Sequence, residues 1–128
     1  MVELADGSLL AAWYAGSGER TADDVVIEGA RLGKGKTAWG SKFLLADPPG
    51  YPDCNPALFA APGGALWLFW PTILDHRWEG ALLKYARSDH PTGEAAALKW
   101  SESGVLHVTP RNFAPAVEQA IEIGRAHV

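Results

Sequence analysis

The sequence predicts an all-β fold built from two antiparallel four-stranded units, and three features carry that prediction. A turn-forming dipeptide stands between apolar runs at two places, Asp6-Gly7 and Gly63-Gly64. Laying one turn on the other gives an offset of 57 residues and places Trp13 on Trp70. Farther along, Ala30-Arg31 and Ala86-Arg87 end similar runs at an offset of 56. Strand, tight turn, strand, longer loop, strand, turn and strand, repeated at such a period, is the pattern of a β-propeller blade. A β-sandwich with look-alike hairpins is the alternative, and recurrence of turn type, Trp and Ala-Arg in one order favours blades.

The elements follow in order. Val2 to Leu4 and Leu9 to Tyr14 flank Asp6-Gly7, where Asp-Gly supplies the positive φ angles that hairpin turns require. Val25 to Leu32 forms the third strand, the turn Gly33 to Ala38 follows, and the fourth strand is expected around Trp39. In the second unit Ala57 to Phe59 and Ala65 to Trp70 flank Gly63-Gly64. Leu82 to Ser88, the turn Asp89 to Leu98 and a strand around Trp100 complete it. Trp13, Trp39, Trp67, Trp70 and Trp100 are expected to pack the blades. The first blade therefore covers residues 1–54 and the second 55–111.

Residues 112–121 behave differently. Phe113, Ala116, Val117, Ala120 and Ile121 recur at three- and four-residue spacing after Asn112, a good N-cap, which predicts the start of an amphipathic helix. Asn112 also lies 57 residues after Asn55, so a third blade beginning there is the alternative. Residues 122–128 read like the translation of a common sequencing adapter and are expected to be foreign to the protein. Val2 to Leu4 enters a turn with no lead-in, so the chain is expected to begin inside a structure.

Composition narrows the function classes. At 128 residues and 48% hydrophobic, the chain has globular rather than disordered character, and its longest apolar run, Ala65 to Trp70, is far short of a membrane span. A net charge of −4 with scattered Lys and Arg disfavours nucleic acid as a partner. The single cysteine, Cys54, excludes an internal disulfide and a Cys-based zinc cluster, and leaves the compartment unknown.

With the strand Leu9-Leu10-Ala11-Ala12-Trp13-Tyr14, the Asn55-Pro56 step and Leu66-Trp67-Leu68-Phe69-Trp70 in hand, the chain resembles the bacterial neuraminidase (sialidase)-like proteins with BNR repeats over most of Val2 to Phe113. The resemblance implies a six-bladed propeller of which these two blades are a part, with the missing blades as partners, a glycan as substrate and no cofactor. The family's Asp-box is partial. Arg31 to Trp39 keeps a Gly and the Trp without the Ser and Asp, and Ser88-Asp89 to Trp100 keeps Ser, Asp, Gly93 and Trp with extra residues between them.

In a four-stranded meander the second-to-third-strand loops and the blade-to-blade connections share one face. Residues 15–24, 47–55 and 71–80 therefore converge, and they carry most of the polar chemistry. A glycosidase needs a carboxylic acid to protonate the leaving oxygen, and sialidases pair it with a Tyr nucleophile. The resemblance places the acid/base in the first blade's loop, at Asp23 or Asp24, with Glu19 as the alternative. It assigns the nucleophile, its Glu and the arginine triad to segments outside this chain, so that these two blades alone are expected to be inactive. Candidate substrate-binding groups are Asp53, Asn55, Arg77 and Trp78, the last suited to stacking on a sugar. No metal site is expected: Asp75-His76 has no second ligand at metal-binding spacing. A non-catalytic glycan- or protein-binding propeller, or an enzyme for another sugar, are the competing readings.

Overall fold

The computed structural model describes residues 1–93, 98–109 and 111–126. Two four-stranded antiparallel meanders follow one another. The first contains β1 (Val2–Glu3), β2 (Leu9–Ala15), β3 (Val26–Leu32) and β4 (Phe43–Ala46). The second contains β5 (Ala57–Ala60), β6 (Leu66–Ile73), β7 (Ala81–Ser88) and β8 (Glu102–Val105). In both sheets the strand order is the chain order, as in propeller blades.

The repeat extends to individual hydrogen bonds. Gly7 donates to the Leu4 carbonyl at 2.9 Å and Leu4 to the Ser8 carbonyl at 2.8 Å; 57 residues later, Gly64 donates to Ala61 at 2.9 Å and Ala61 to Ala65 at 2.8 Å. Gly7 and Gly64 take φ of 79° and 90°, whereas Asp6 stays at negative φ. Each hairpin is thus a turn closed by one left-handed glycine, rather than the two-residue form with two positive φ angles. Asp6 still contributes, because its Oδ1 accepts from the Ser8 N–H at 3.0 Å and hydroxyl at 2.6 Å.

Strand pairing sorts the side chains by face. In the first blade Leu10 faces Arg31, Ala12 faces Gly29 and Tyr14 faces Ile27 across the β2/β3 ladder; in the second, Leu66 faces Ser88, Leu68 faces Ala86 and Trp70 faces Lys84 across β6/β7. These two faces meet. Ile27 and Leu45 of the first blade form one buried cluster with Leu68, Trp70 and Ala86 of the second, and Leu4 and Leu10 form another with Leu66. Two polar links cross the same interface: the Trp100 indole donates to the Leu45 carbonyl at 2.9 Å, and the Arg31 guanidinium donates to the Pro91 carbonyl.

The fourth strands depart from expectation. They begin after the tryptophans, at Phe43 and Glu102, and Trp39 lies in a loop with 44% of its surface exposed instead of packing a blade. The segment Gly33–Gly40 closes on itself through Lys36 N–H to Gly33 and Gly40 N–H to Arg31, which delays the return strand past Trp39. In the second blade, residues 94–97 of the Asp89 to Leu98 turn lie outside the described residues.

At the C-terminus α1 (Phe113–Ala126) replaces a third blade, and Ala116 donates to the Asn112 carbonyl at 3.1 Å in its first turn. The helix runs on past Ile121 through residues 122–126, and none of its residues is buried. Residues 127–128 and Pro110 lie outside the described residues.

Leu68 is fully buried between the blades, so Leu68→Ala is expected to lower unfolding free energy in urea by about 2–5 kcal/mol. Trp39→Ala, at the exposed loop position, is expected to change it by no more than about 0.5 kcal/mol.

Candidate functional site

Loops 15–24 and 71–80 and the blade connection 47–55 emerge at one end of the sheets. The connection is a strap between them. Asp53 donates its N–H to the Val25 carbonyl of the first blade at 2.9 Å. Ile73 of the second blade donates to Pro52 at 2.9 Å, and Cys54 donates to Pro71 at 3.0 Å. Val25, Cys54 and Ile73 pack beneath it as a small apolar cluster.

Asp53, expected among the substrate-facing groups, is instead fully buried in this strap. Its Oδ1 accepts from the Thr72 hydroxyl at 2.5 Å and the Trp70 indole at 2.8 Å, while Oδ2 meets no hydrogen-bond partner among the described residues. Burial pushes this carboxyl up to about 6. The Thr72 and Trp70 hydrogen bonds oppose the shift, Asp47 adds to it and Lys84 reduces it. Cys54 is buried as well, and burial, with the charges of Glu19 and Asp53, raises its thiol above the ordinary value, so it is not a nucleophile.

The three candidate acids separate. Asp24 belongs to its own loop: it accepts from the Ser17 N–H at 3.1 Å and from the Ser17 hydroxyl at 2.9 Å. Those bonds hold its carboxyl below the usual aspartate value. Glu19 is exposed, and among the described residues no hydrogen bond fixes its side chain. Asp23 reaches across the blades, its Oδ1 lying 2.7 Å from His76 Nε2. Both partners remain about half exposed, at 57% and 48% of their side-chain surface.

His76 owes its position to a strained turn. Asp75 and His76 both take φ of 52°, in the left-handed region that side chains avoid, which costs on the order of 1–3 kcal/mol each. Around them Leu74 donates to Gly80, Arg77 to Leu74 and Gly80 to Arg77, at 3.3, 3.2 and 3.0 Å. A Cβ on Gly80 would stand 2.5 Å from the Leu74 carbonyl oxygen, so this loop closes only with glycine there.

Arg77 and Trp78 follow directly and line a cleft of about 510 Å³ together with Arg20 and Glu79. Two predicted binding residues are thus joined by Arg20 from the first blade's loop. Asn55, at φ 42°, is exposed at the start of the second blade. The sequence reading missed Arg20, Glu79 and the role of His76. An Asp-His pair in a loop was the available signal, since Asn, Asp and His are the non-glycine residues most enriched at positive φ.

A family model described as a BNR repeat-like domain matches residues 7–119. The chain belongs to the BNR repeat-like domain family. Its match spans both sheets and most of α1, so the converging loops belong to the BNR repeat-like unit itself. Neither the curated proteins nor the solved structures contained a match. Among the described residues, no three His, Cys, Asp or Glu side chains gather as they would around a metal ion.

The raised Asp53 value fixes a sign. The folded chain binds this proton more tightly than the unfolded chain, so the favourable contribution is complete below the unfolded aspartate value near 3.8 and is lost as pH rises through about 6. The loss is on the order of 3 kcal/mol. Asp53→Asn is expected to remove that fall between pH 4 and 7 in urea denaturation. An unchanged pH profile in the variant would assign the titration to another group.

Proposed function

We propose that this chain supplies two blades of a sialidase-like glycoside hydrolase that releases a terminal acidic sugar with retention, and that Asp23 is its acid/base. The observation that carries the reading is the contact between Asp23 and His76 across two loops, beside a cleft lined by Arg20, Arg77 and Trp78.

The chemistry separates the acids. In a retaining glycosidase one carboxyl group first protonates the leaving oxygen and then takes a proton from the attacking water. Asp24 is a poor proton donor near neutrality because Ser17 favours its ionised form. Asp53 would hold a proton at higher pH, but it is sealed beneath the strap. Asp23 is accessible, and His76 fixes one of its oxygens while the other stays available for proton exchange. Arg20 and Arg77 bring positive charge for a substrate carboxylate, and Trp78 offers a face for a sugar ring. The reading assigns the nucleophilic Tyr and its activating Glu to further blades.

A second reading is favoured by the same cleft. A cationic, partly aromatic cleft suits glycan binding without chemistry, and an enzyme for another sugar would use the same groups.

The test is turnover of a fluorogenic sialoside by the complete polypeptide encoded around this chain. Turnover is expected, with Asp23→Asn lowering kcat by about 10²–10⁴-fold and Asp24→Asn by less than about tenfold. Normal rates in both variants would move the acid/base role to Glu19. Saturable sialoside binding without turnover would establish the binding module instead.

A further inference from the structure

The second blade carries a face that nothing in this chain covers. Trp67 lies opposite Arg87, Phe69 opposite Tyr85 and Pro71 opposite Leu83 across β6/β7. Trp67 and Phe69 stack with ring centres 5.9 Å apart, Tyr85 lies 6.0 Å from Trp67, and the Arg87 guanidinium sits 5.6 Å above the Trp67 ring. Phe59 and Leu83 extend the patch with 52% and 40% of their surface exposed. A contiguous apolar and aromatic sheet face of this kind marks an interface.

The internal repeat says what fits it. At the offsets of 57 and 56, Trp67 and Arg87 stand where Leu10 and Arg31 stand in the first blade, and Phe69 and Tyr85 where Ala12 and Gly29 stand. That equivalent face is the one the second blade covers, and Arg31 crosses it to reach the Pro91 carbonyl. The covering face, Leu66, Leu68 and Trp70, has its own equivalent in the first blade: Leu9, Ala11 and Trp13. Those three point away from the established interface.

Side-chain size points the same way. In the established interface, small Ala12 and Gly29 on the first blade receive large Leu68 and Trp70 on the second. On the two free faces the sizes are reversed, with Phe69 and Tyr85 large on the second blade and Ala11 and Ala30 small on the first. A close-packed interface needs that complementarity of volume, which either face paired with itself lacks.

We propose that the aromatic face of the second blade docks on the free face of the first blade of another copy, head to tail. The contact is heterologous, so it closes into a ring or extends as a filament. Leu9, Ala11 and Trp13 of one copy take the place against Trp67, Phe69 and Tyr85 that Leu66, Leu68 and Trp70 take within the chain.

Analytical ultracentrifugation of the full chain at rising concentration tests this. The expected result is mass-action assembly above the 13.7 kDa monomer. Phe69→Arg on one face and Ala11→Arg on the other should each give monomers, and mixing the two variants should restore a one-to-one complex, because each keeps one intact face. Far-UV circular dichroism confirms that the variants fold, and Leu44→Arg, at a 55% exposed site on the first blade's free face, replaces Ala11→Arg if that chain misfolds. Wild-type chain of monomer mass throughout the series would overturn the proposal. So would undiminished self-association of both first-blade variants, which would show the aromatic face pairing with itself.

Discussion

The arrangement rests on the strap Pro52–Cys54, and within it on the buried carboxylate of Asp53. Its backbone joins β3 of one blade to β6 of the other through Val25 and Ile73, and its side chain adds Trp70 and Thr72 to the same junction. Burying this carboxyl is unfavourable, as its raised pKa records, and two donors on one oxygen offset only part of that cost. What the junction gains is fixed geometry. Val25 directly follows Asp24, and Ile73 stands two residues before Asp75, so the strap pins the bases of the two loops that bring Asp23 to His76.

Much of this was legible in the sequence because a repeat is read twice. The hairpin glycines, the Leu, Ala and Trp positions of β2 and β6 and the Ala-Arg pairs recur at one spacing, and the observed register follows that spacing residue by residue. The fourth strands were displaced because a tryptophan after a turn signals apolar burial without saying which element supplies it. Trp100 reaches burial from just before its strand, bonded to Leu45, while Trp39 stays in a loop. Asp53 was misplaced for a related reason. Its neighbours in sequence are polar and loop-like, and the groups that bury it, Trp70 and Thr72, come from a strand 17 and 19 residues away. The convergence of the loops was legible from topology alone, whereas the pairing of Asp23 with His76, 53 residues apart, depends on side-chain reach.

The two blades keep one backbone and differ in what they present. Hairpin hydrogen bonds and ladder register are conserved between them, yet Ala12 and Gly29 in one correspond to Phe69 and Tyr85 in the other. Backbone hydrogen bonding thus sets the repeat, and side-chain volume sets which faces can meet. Loop chemistry varies on top of both: Ser17 and Asp24 organise one loop, and two left-handed residues organise the other. Rigid sheets carrying variable loops are the usual basis for placing binding and catalytic groups.

The strap can be examined directly by amide hydrogen exchange at Asp53, Cys54 and Ile73, whose N–H groups join the blade connection to the two sheets. If the strap locks both blades and their loops into one unit, these three amides exchange only through global unfolding, at the rate of the central β6 amides. Exchange as fast as that of the exposed loop amides would contradict it, and would mean that the two loops are positioned independently.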